Sequence, residues 1–422
     1  MVVFYVDSRK KIACMEKKGG CGMRKYNGRL AIAGFMYIGI LAMILGCTPD
    51  KGSDAVPQKQ ASQEKKEQSA LPVSLAREAV PLPEADTPYE PEVIAEGLNV
   101  PWALAMAPDG RMFFTERPGT LRIIENGKVL PQPALSFPPP FVEKGEGGLL
   151  GLAIDPDFLT NRYLYVYHSY EQDGQIKNRV LRLTESKNRA RVDKVLLDGI
   201  PGNYNHNGGR LKIGPDGMLY ITTGDALERE RSQEKDDLAG KILRIRLDGT
   251  IPEDNPDPNS PVYSLGHRNP QGLAWHPETG KLYSVEHGQS AHDELNLIEP
   301  GANYGWPVIE GDKTEEGKKR PLLHSGEQTW APSGIVFIQQ GRWKGQLLAA
   351  NLRGEQIWKA ELDGENPIKV VSLNSLFPGE FGRIRDIAES PDGSLYFMTN
   401  NRDGRGKERS GDDKIIRLKP RL

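Results

Sequence analysis

Cysteine is scarce in this chain: three residues in 422, at positions 14, 21 and 47, and none afterwards. The long remainder therefore holds no disulfide and cannot build a thiolate zinc site, so packing alone must hold it together. An excess of charge of one sign is also missing. Lys and Arg number 55 against 57 Asp and Glu, a net charge of −2. The basic footprint of a nucleic-acid binder is absent, and no nucleic-acid partner is expected. Long apolar runs are confined to one stretch, "LAIAGFMYIGILAMILGC", from Leu30 to Cys47.

That run follows the basic "MRKYNGR" that starts at Met23. A positive region, an apolar core and small residues before a cysteine form a secretory signal. "ILGC" has the pattern of a bacterial lipobox, in which Cys47 is lipidated and becomes the mature N-terminus. The alternative is an uncleaved membrane anchor, since the run is near the lower length limit for spanning. Translation can start at Met1 or Met23. Residues 48–88 are rich in Lys, Gln, Glu, Ser, Ala and Pro, too polar to repay the entropy of ordering, and are expected to be a flexible tether. The expected organisation is thus a signal region 1–47, a tether 48–88 and one large domain 89–422. The protein would be exported and lipid-anchored, on the periplasmic side of a bacterial membrane or at the cell surface.

Within the domain a strand–turn–strand string recurs. It reads "MAPDGRMFFTE" from Met106, "IDPDFLTNRYLYVYH" from Ile154, "IGPDGMLYITTGD" from Ile213, "WHPETGKLYSVEHG" from Trp275 and "ESPDGSLYFMTNN" from Glu389, with a degenerate copy, "FIQQGRWKGQLLAANL", from Phe337. Pro fixes φ and Gly accepts positive φ, which suits a tight turn, and the alternation that follows is strand-like. Six copies about fifty to sixty residues apart predict an all-β fold, a six-bladed β-propeller of four-stranded antiparallel blades. A non-repeating sandwich rarely needs so much chain.

The unusual polar residues fall in loops around these repeats. "NYNHNGGR" sets His206 between asparagines and glycines. "LGHRNPQGLAW" gathers Arg268, Asn269 and Gln271, and "VEHGQSAHDELNLIEPGANYGWP" holds Glu286, His287, His292, Asp293 and Glu294. In "FGRIRDIAESPDG", Arg383 and Arg385 are two apart, which on a strand sends both side chains to one face. Two guanidiniums side by side repel unless an anion lies between them. Separately solvated surface arginines are the alternative.

Together, "HNGGRLKIGPDGMLYITTGD", "GKILRIRLDGTIPEDNP", "LGHRNPQGLAW", "DELNLI" with "NYGWP", and "RIRDIAESPDG" resemble the soluble glucose/aldose sugar dehydrogenase family, over about Val93 to Lys419. That family uses pyrroloquinoline quinone (PQQ) on a six-bladed propeller. The resemblance implies an oxidoreductase that converts an aldose at C1 to a lactone and passes electrons to an unidentified acceptor. It makes His206 the general base, a task suited to a neutral imidazole. Arg268 and Asn269 would face the quinone oxygens, with Gln271 beside them and Arg268 assisting catalysis. Arg383 and Arg385 would clamp the cofactor carboxylates.

Four positions depart from the family pattern. Arg353 falls where a lysine is usual, Glu146 where a glutamine stands, Asn205 where an aspartate precedes the histidine, and Gln289 where a proline is common. Glu146 and Arg353 are counted with the cofactor pocket, and the preferred sugar is left open. Calcium is the implied metal, ligated by the carbonyls of Gly288 and Gln289, with a second, structural ion at the Glu294 side chain and the Tyr304 carbonyl. A zinc cluster of Glu286, His287, His292 and Asp293 is the alternative metal reading. A calcium-dependent lactonase and a non-enzymatic binding propeller are the competing functions. Monomer and homodimer are equally compatible with the sequence.

Overall fold

Each repeat folds as the hairpin between the first two strands of a blade. In the first, third and sixth blades the Pro-Asp-Gly turn closes through Gly110 N–H to Ala107 O, Gly217 N–H to Gly214 O and Gly393 N–H to Ser390 O, at 2.8–3.0 Å. Those glycines carry φ of 87°, 73° and 81°, where a Cβ is disfavoured. The computed structural model describes residues 83–364, 366 and 369–420. The apolar run and Cys47 lie outside the described residues, as does the expected tether apart from 83–88.

The first strands of the six blades are Pro101–Met106, Leu149–Ile154, Leu211–Ile213, Pro270–Trp275, Pro332–Phe337 and Ile384–Glu389. Their antiparallel partners are Met112–Glu116, Tyr163–Gln172, Leu219–Thr223, Leu282–Glu286, Leu347–Asn351 and Leu395–Thr399. In the second blade a one-turn helix, Phe158–Asn161, replaces the tight turn, and Phe158 packs edge-on against Phe113 of the first blade at 5.7 Å. The outer position of the first blade is shared by two short strands, Lys128–Val129 and Leu135–Ser136, which both pair with Thr120–Glu125. Otherwise every blade has four strands in antiparallel order, as the repeat predicts.

The ring closes through its ends. Tyr89–Ala95 is the outer strand of the sixth blade, pairing with Ile415–Pro420 from Tyr89↔Pro420 to Ala95↔Ile415. Just before it, Ala85 N–H donates to Ser375 O and Ser375 N–H to Pro83 O, both 2.8 Å, so 83–88 run beside the outer strand of the fifth blade, Val370–Leu376. Alternating apolar residues of neighbouring blades, such as Phe113, Phe114, Ile221 and Phe397, are fully buried between the sheets. No helix among the described residues is long and apolar enough to cross a membrane.

The centre of the ring is filled by charge. Arg210 and Asp386 pair at 3.1 Å with both side chains nearly inaccessible. Arg210 also lies 4.3 Å over the Trp102 ring and donates to Gln271 O, while Asp386 accepts Leu104 N–H at 3.0 Å. This layer separates a cavity of about 440 Å³ on the turn side, lined by Lys212 and Glu389 among others, from one of about 430 Å³ on the opposite side.

Candidate active site

In an antiparallel hairpin the start of the first strand and the end of the second lie together. Six such ends therefore converge opposite the Pro-Asp-Gly turns, and every blade lines the cavity there. Arg117 comes from the first blade, Glu146 from the second, His206 from the third and Arg268, His287 and Gly288 from the fourth. The fifth contributes Arg353 and the sixth Arg383, Arg385, Asp403 and Arg405.

His206 sits at φ 59°, a left-handed conformation that histidine tolerates better than most residues. Its loop is pressed against the end of the next strand. A Cβ on Gly224 would lie 2.0 Å from His206 O, and one on Gly208 2.6 Å from Thr222 O. Only glycine permits that approach. Gly224→Ala should therefore displace the loop, cutting activity and costing about 1–3 kcal/mol of stability, measured by denaturant melts alongside turnover. The His206 Nδ1 lies 2.7 Å from Asp225 Oδ1. Burial alone would raise the Asp225 pKa, but His206, the Leu227 amide and the Trp306 indole outweigh it and hold it low. A carboxylate only accepts, so Nδ1 carries the proton and the Nε2 lone pair is left to the cavity. Nε2 has no hydrogen-bond partner among the described residues.

Two guanidiniums in the cavity are desolvated without a carboxylate in contact. Arg385 donates to Asn400 Oδ1, Gln271 Oε1 and Ser333 Oγ, all neutral, and burial lowers its pKa. Arg268 reaches His287 O at 3.2 Å and leaves its buried Nε unpaired, with burial again working against its charge. Arg383, the other arginine expected at the cofactor carboxylates, makes two hydrogen bonds to Asp403, of 3.0 and 2.7 Å. Gln271 holds Arg385 from beneath. Arg353 is exposed at the rim with no partner among the described residues. Asn269 is fully buried behind the wall, its Oδ1 accepting Gly208 N–H and its Nδ2 unpaired.

A family model for glucose/sorbosone dehydrogenases matches residues 98–416. This chain belongs to that family. It is 32% identical to the aldose sugar dehydrogenase YliI of Escherichia coli, over 74% of this chain and 90% of the relative. With quinoprotein glucose dehydrogenase B of Acinetobacter calcoaceticus it shares 38% identity, over 63% of this chain and 64% of that one. The PQQ-bound aldose sugar dehydrogenase of Streptomyces coelicolor superposes with a TM-score of 0.72 at 36% identity, covering 80% of this chain and 99% of the other. The glucose/sorbosone dehydrogenases are oxidoreductases, and so is this protein.

In this member of the glucose/sorbosone dehydrogenase family, several residues that line or brace the cavity escaped the sequence reading. Asp225 ends the quoted "TTGD" string, and its place at a second-strand end was a usable signal. Trp306 is held by Ser232 and Gln233 and donates to Asp225 Oδ2 at 2.9 Å; nothing in "NYGWP" alone points there. Asp403 and Arg405 follow the last repeat, in "NRDGRG".

The expected metal residues fall into two adjoining places. Gly288 and Gln289 line the main cavity. Their amides donate to Asp293 and Glu310, while their carbonyls accept no hydrogen bond among the described residues. Glu294 and Tyr304 line a smaller cavity below, which Gly288 also touches. Burial first, then the neighbouring Glu286, push the Glu294 pKa up, and the Asn296 amide reaches both carboxylates. Free carbonyls and crowded carboxylates are hard oxygen donors that fit calcium. The four residues of the zinc alternative go separate ways. Glu286 accepts from His267 and the Arg268 amide, His287 Nε2 donates to Pro332 O, Asp293 accepts three backbone amides and His292 lies beside Glu327.

Proposed function

We propose that this protein oxidises aldoses at C1 to lactones with PQQ and calcium, handing electrons to a separate acceptor. The carrying observation is the pair of desolvated guanidiniums, Arg385 buried and Arg268 partly so, that face one cavity with no carboxylate in contact. A buried unpaired cation is strongly destabilising, and a planar tricarboxylate would relieve it. The volume, about 430 Å³, is in the ordinary range for a cofactor-sized ligand.

When bound, PQQ supplies a two-electron acceptor, and calcium at Gly288 and Gln289 would polarise it. The protein's own part begins with His206. Its Nε2 takes the C1 hydroxyl proton as the C1 hydride departs, and Asp225 fixes the tautomer and steadies the imidazolium that forms. Arg268 donates where negative charge grows. Arg385, braced by Gln271, Asn400 and Ser333, holds the cofactor carboxylates, and Arg353 adds a rim contact. His287, the other histidine of the cavity, is a poor base: burial pushes its pKa down to about 3. His292 lies outside the cavity lining.

The deciding experiment is dye-linked oxidation of an aldose panel by apoprotein, with and without PQQ and calcium, with quinone absorbance of the reconstituted protein recorded in parallel. Failure to bind the quinone would defeat the reading and favour a lactonase or a binding propeller.

Calcium is expected to act on stability as well. At a hundred times its Kd it should stabilise by about 2.7 kcal/mol, or about 4 °C in Tm for a domain of this size. Glu294→Gln should remove the share of that gain that comes from the Glu294 site while raising the Tm of the calcium-free protein, because it removes one of two crowded carboxylates. The sign follows from the raised pKa. Glu294 favours folding while protonated, so calcium-free stability falls as pH rises through that pKa, and calcium should flatten the dependence. Differential scanning calorimetry across pH checks both statements. Lipidation is tested by mass spectrometry of the native protein, which should find a diacylglyceryl group on Cys47; a mature chain that retains Gly46 would refute it.

A further inference from the structure

Arg405 lies on the loop after the second strand of the sixth blade, yet its partners belong to the second and third. Its guanidinium is 2.6 Å from Glu146 and 2.8 Å from Asn205 Oδ1. In the ring the first blade stands between them, so the side chain crosses the mouth of the cavity instead of following its wall. The loop beneath is fixed. Asp403 accepts the amides of Arg405 and Gly406 at 2.8 and 3.0 Å and is itself clasped by Arg383. Both ends of the span border His206: Asn205 precedes it, and Glu146 accepts the His206 amide at 3.0 Å. Contacts at hydrogen-bond distance leave no gap for a carbohydrate ring between Arg405 and that side of the mouth.

We propose that Arg405 sets the size limit of the substrate: clasped to Glu146 and Asn205, it admits a free monosaccharide aldose and excludes one glycosylated at O4. In a pyranose, C4 lies across the ring from C1. With C1 at His206, a sugar attached at O4 must pass out through the opening that Arg405 narrows. The inference rests on the dehydrogenase reading above and names its substrate class. Glu146 and Asn205 are two of the positions where this sequence departs from its family's pattern, and the latch gives both departures a common purpose.

Arg405 is half-exposed on a surface loop, so Arg405→Ala should fold. Glu146 is much less exposed; burial works to raise its pKa, and the variant loses the charge that does most to hold that pKa down. Thermal melts of Arg405→Ala beside Arg405→Lys, which keeps a cation for Glu146, separate that cost from the effect on substrate size. In reconstituted holoenzyme, the ratio of kcat/KM for maltose to that for glucose should rise about tenfold or more, with kcat on glucose held within about threefold. Arg405→Lys keeps a cation for Glu146 but lacks the fork that reaches Asn205, and its ratio should fall between the two. A ratio unchanged in Arg405→Ala, with glucose still oxidised, would overturn the proposal. So would a wild type that oxidises maltose as readily as glucose. If the wild type oxidises no aldose at all, the dehydrogenase reading fails, and the latch with it.

Discussion

Replacing His206 with asparagine is expected to slow reduction of bound quinone by sugar about 10²–10⁴-fold, the usual toll for a lost general base. Asparagine is the conservative choice because the backbone at this position is left-handed, φ 59°, and Asn accepts that region readily. The loop should keep its place, held by the Glu146 and Asn269 contacts to the His206 and Gly208 amides. The loss should be confined to one half-reaction. Reoxidation of chemically reduced enzyme by an artificial dye needs no hydroxyl proton removed, so it should stay close to wild type. Stopped-flow absorbance separates the two. Near-normal reduction by sugar in the variant would mean that another group takes the proton.

The second large effect concerns cofactor affinity, and here the two arginines of "RIR" should part company. A hydrogen bond to a charged group contributes about 1.5–3 kcal/mol, which is about 10- to 150-fold in Kd. Arg385→Ala should weaken PQQ binding by that order, since its guanidinium has only neutral partners in the protein. Arg383→Ala should cost less, because Arg383 already spends two hydrogen bonds on Asp403. Equilibrium titration of apoprotein by quinone fluorescence checks the order. Equal losses would show that Arg383 lets go of Asp403 when the cofactor binds.

The contrast between those two arginines marks how far the sequence could be read. Turn chemistry is local: Pro-Asp-Gly fixes a hairpin from four residues, and six hairpins at regular intervals define the ring. Even the degenerate copy at Phe337 folds as expected, its turn carried by Gly341 and Gly345 at φ 75° and 80°. Once the hairpins are known, so is the end at which His206, Arg268 and Arg383 gather. The partners of those residues are another matter. Asp225 meets Trp306 across 81 positions and Arg405 meets Asn205 across 200. No local pattern encodes a contact between blades. The helical turn at Phe158 was hidden for the same reason, since it follows from packing against Phe113 in the neighbouring sheet. "RIR" shows two arginines on one face, but not that one of them is already engaged.

The Arg210–Asp386 layer has a consequence for traffic. Because it stoppers the bore, the reaction chamber is a well with one door and not a tunnel. Whatever sits deepest has to arrive first and depart last. A quinone lying on Arg385 would load before any sugar, and a sugar lying over it would hold it in. Occupied enzyme should thus shed its cofactor more slowly than idle enzyme. Such a protein would keep its cofactor best while it is working.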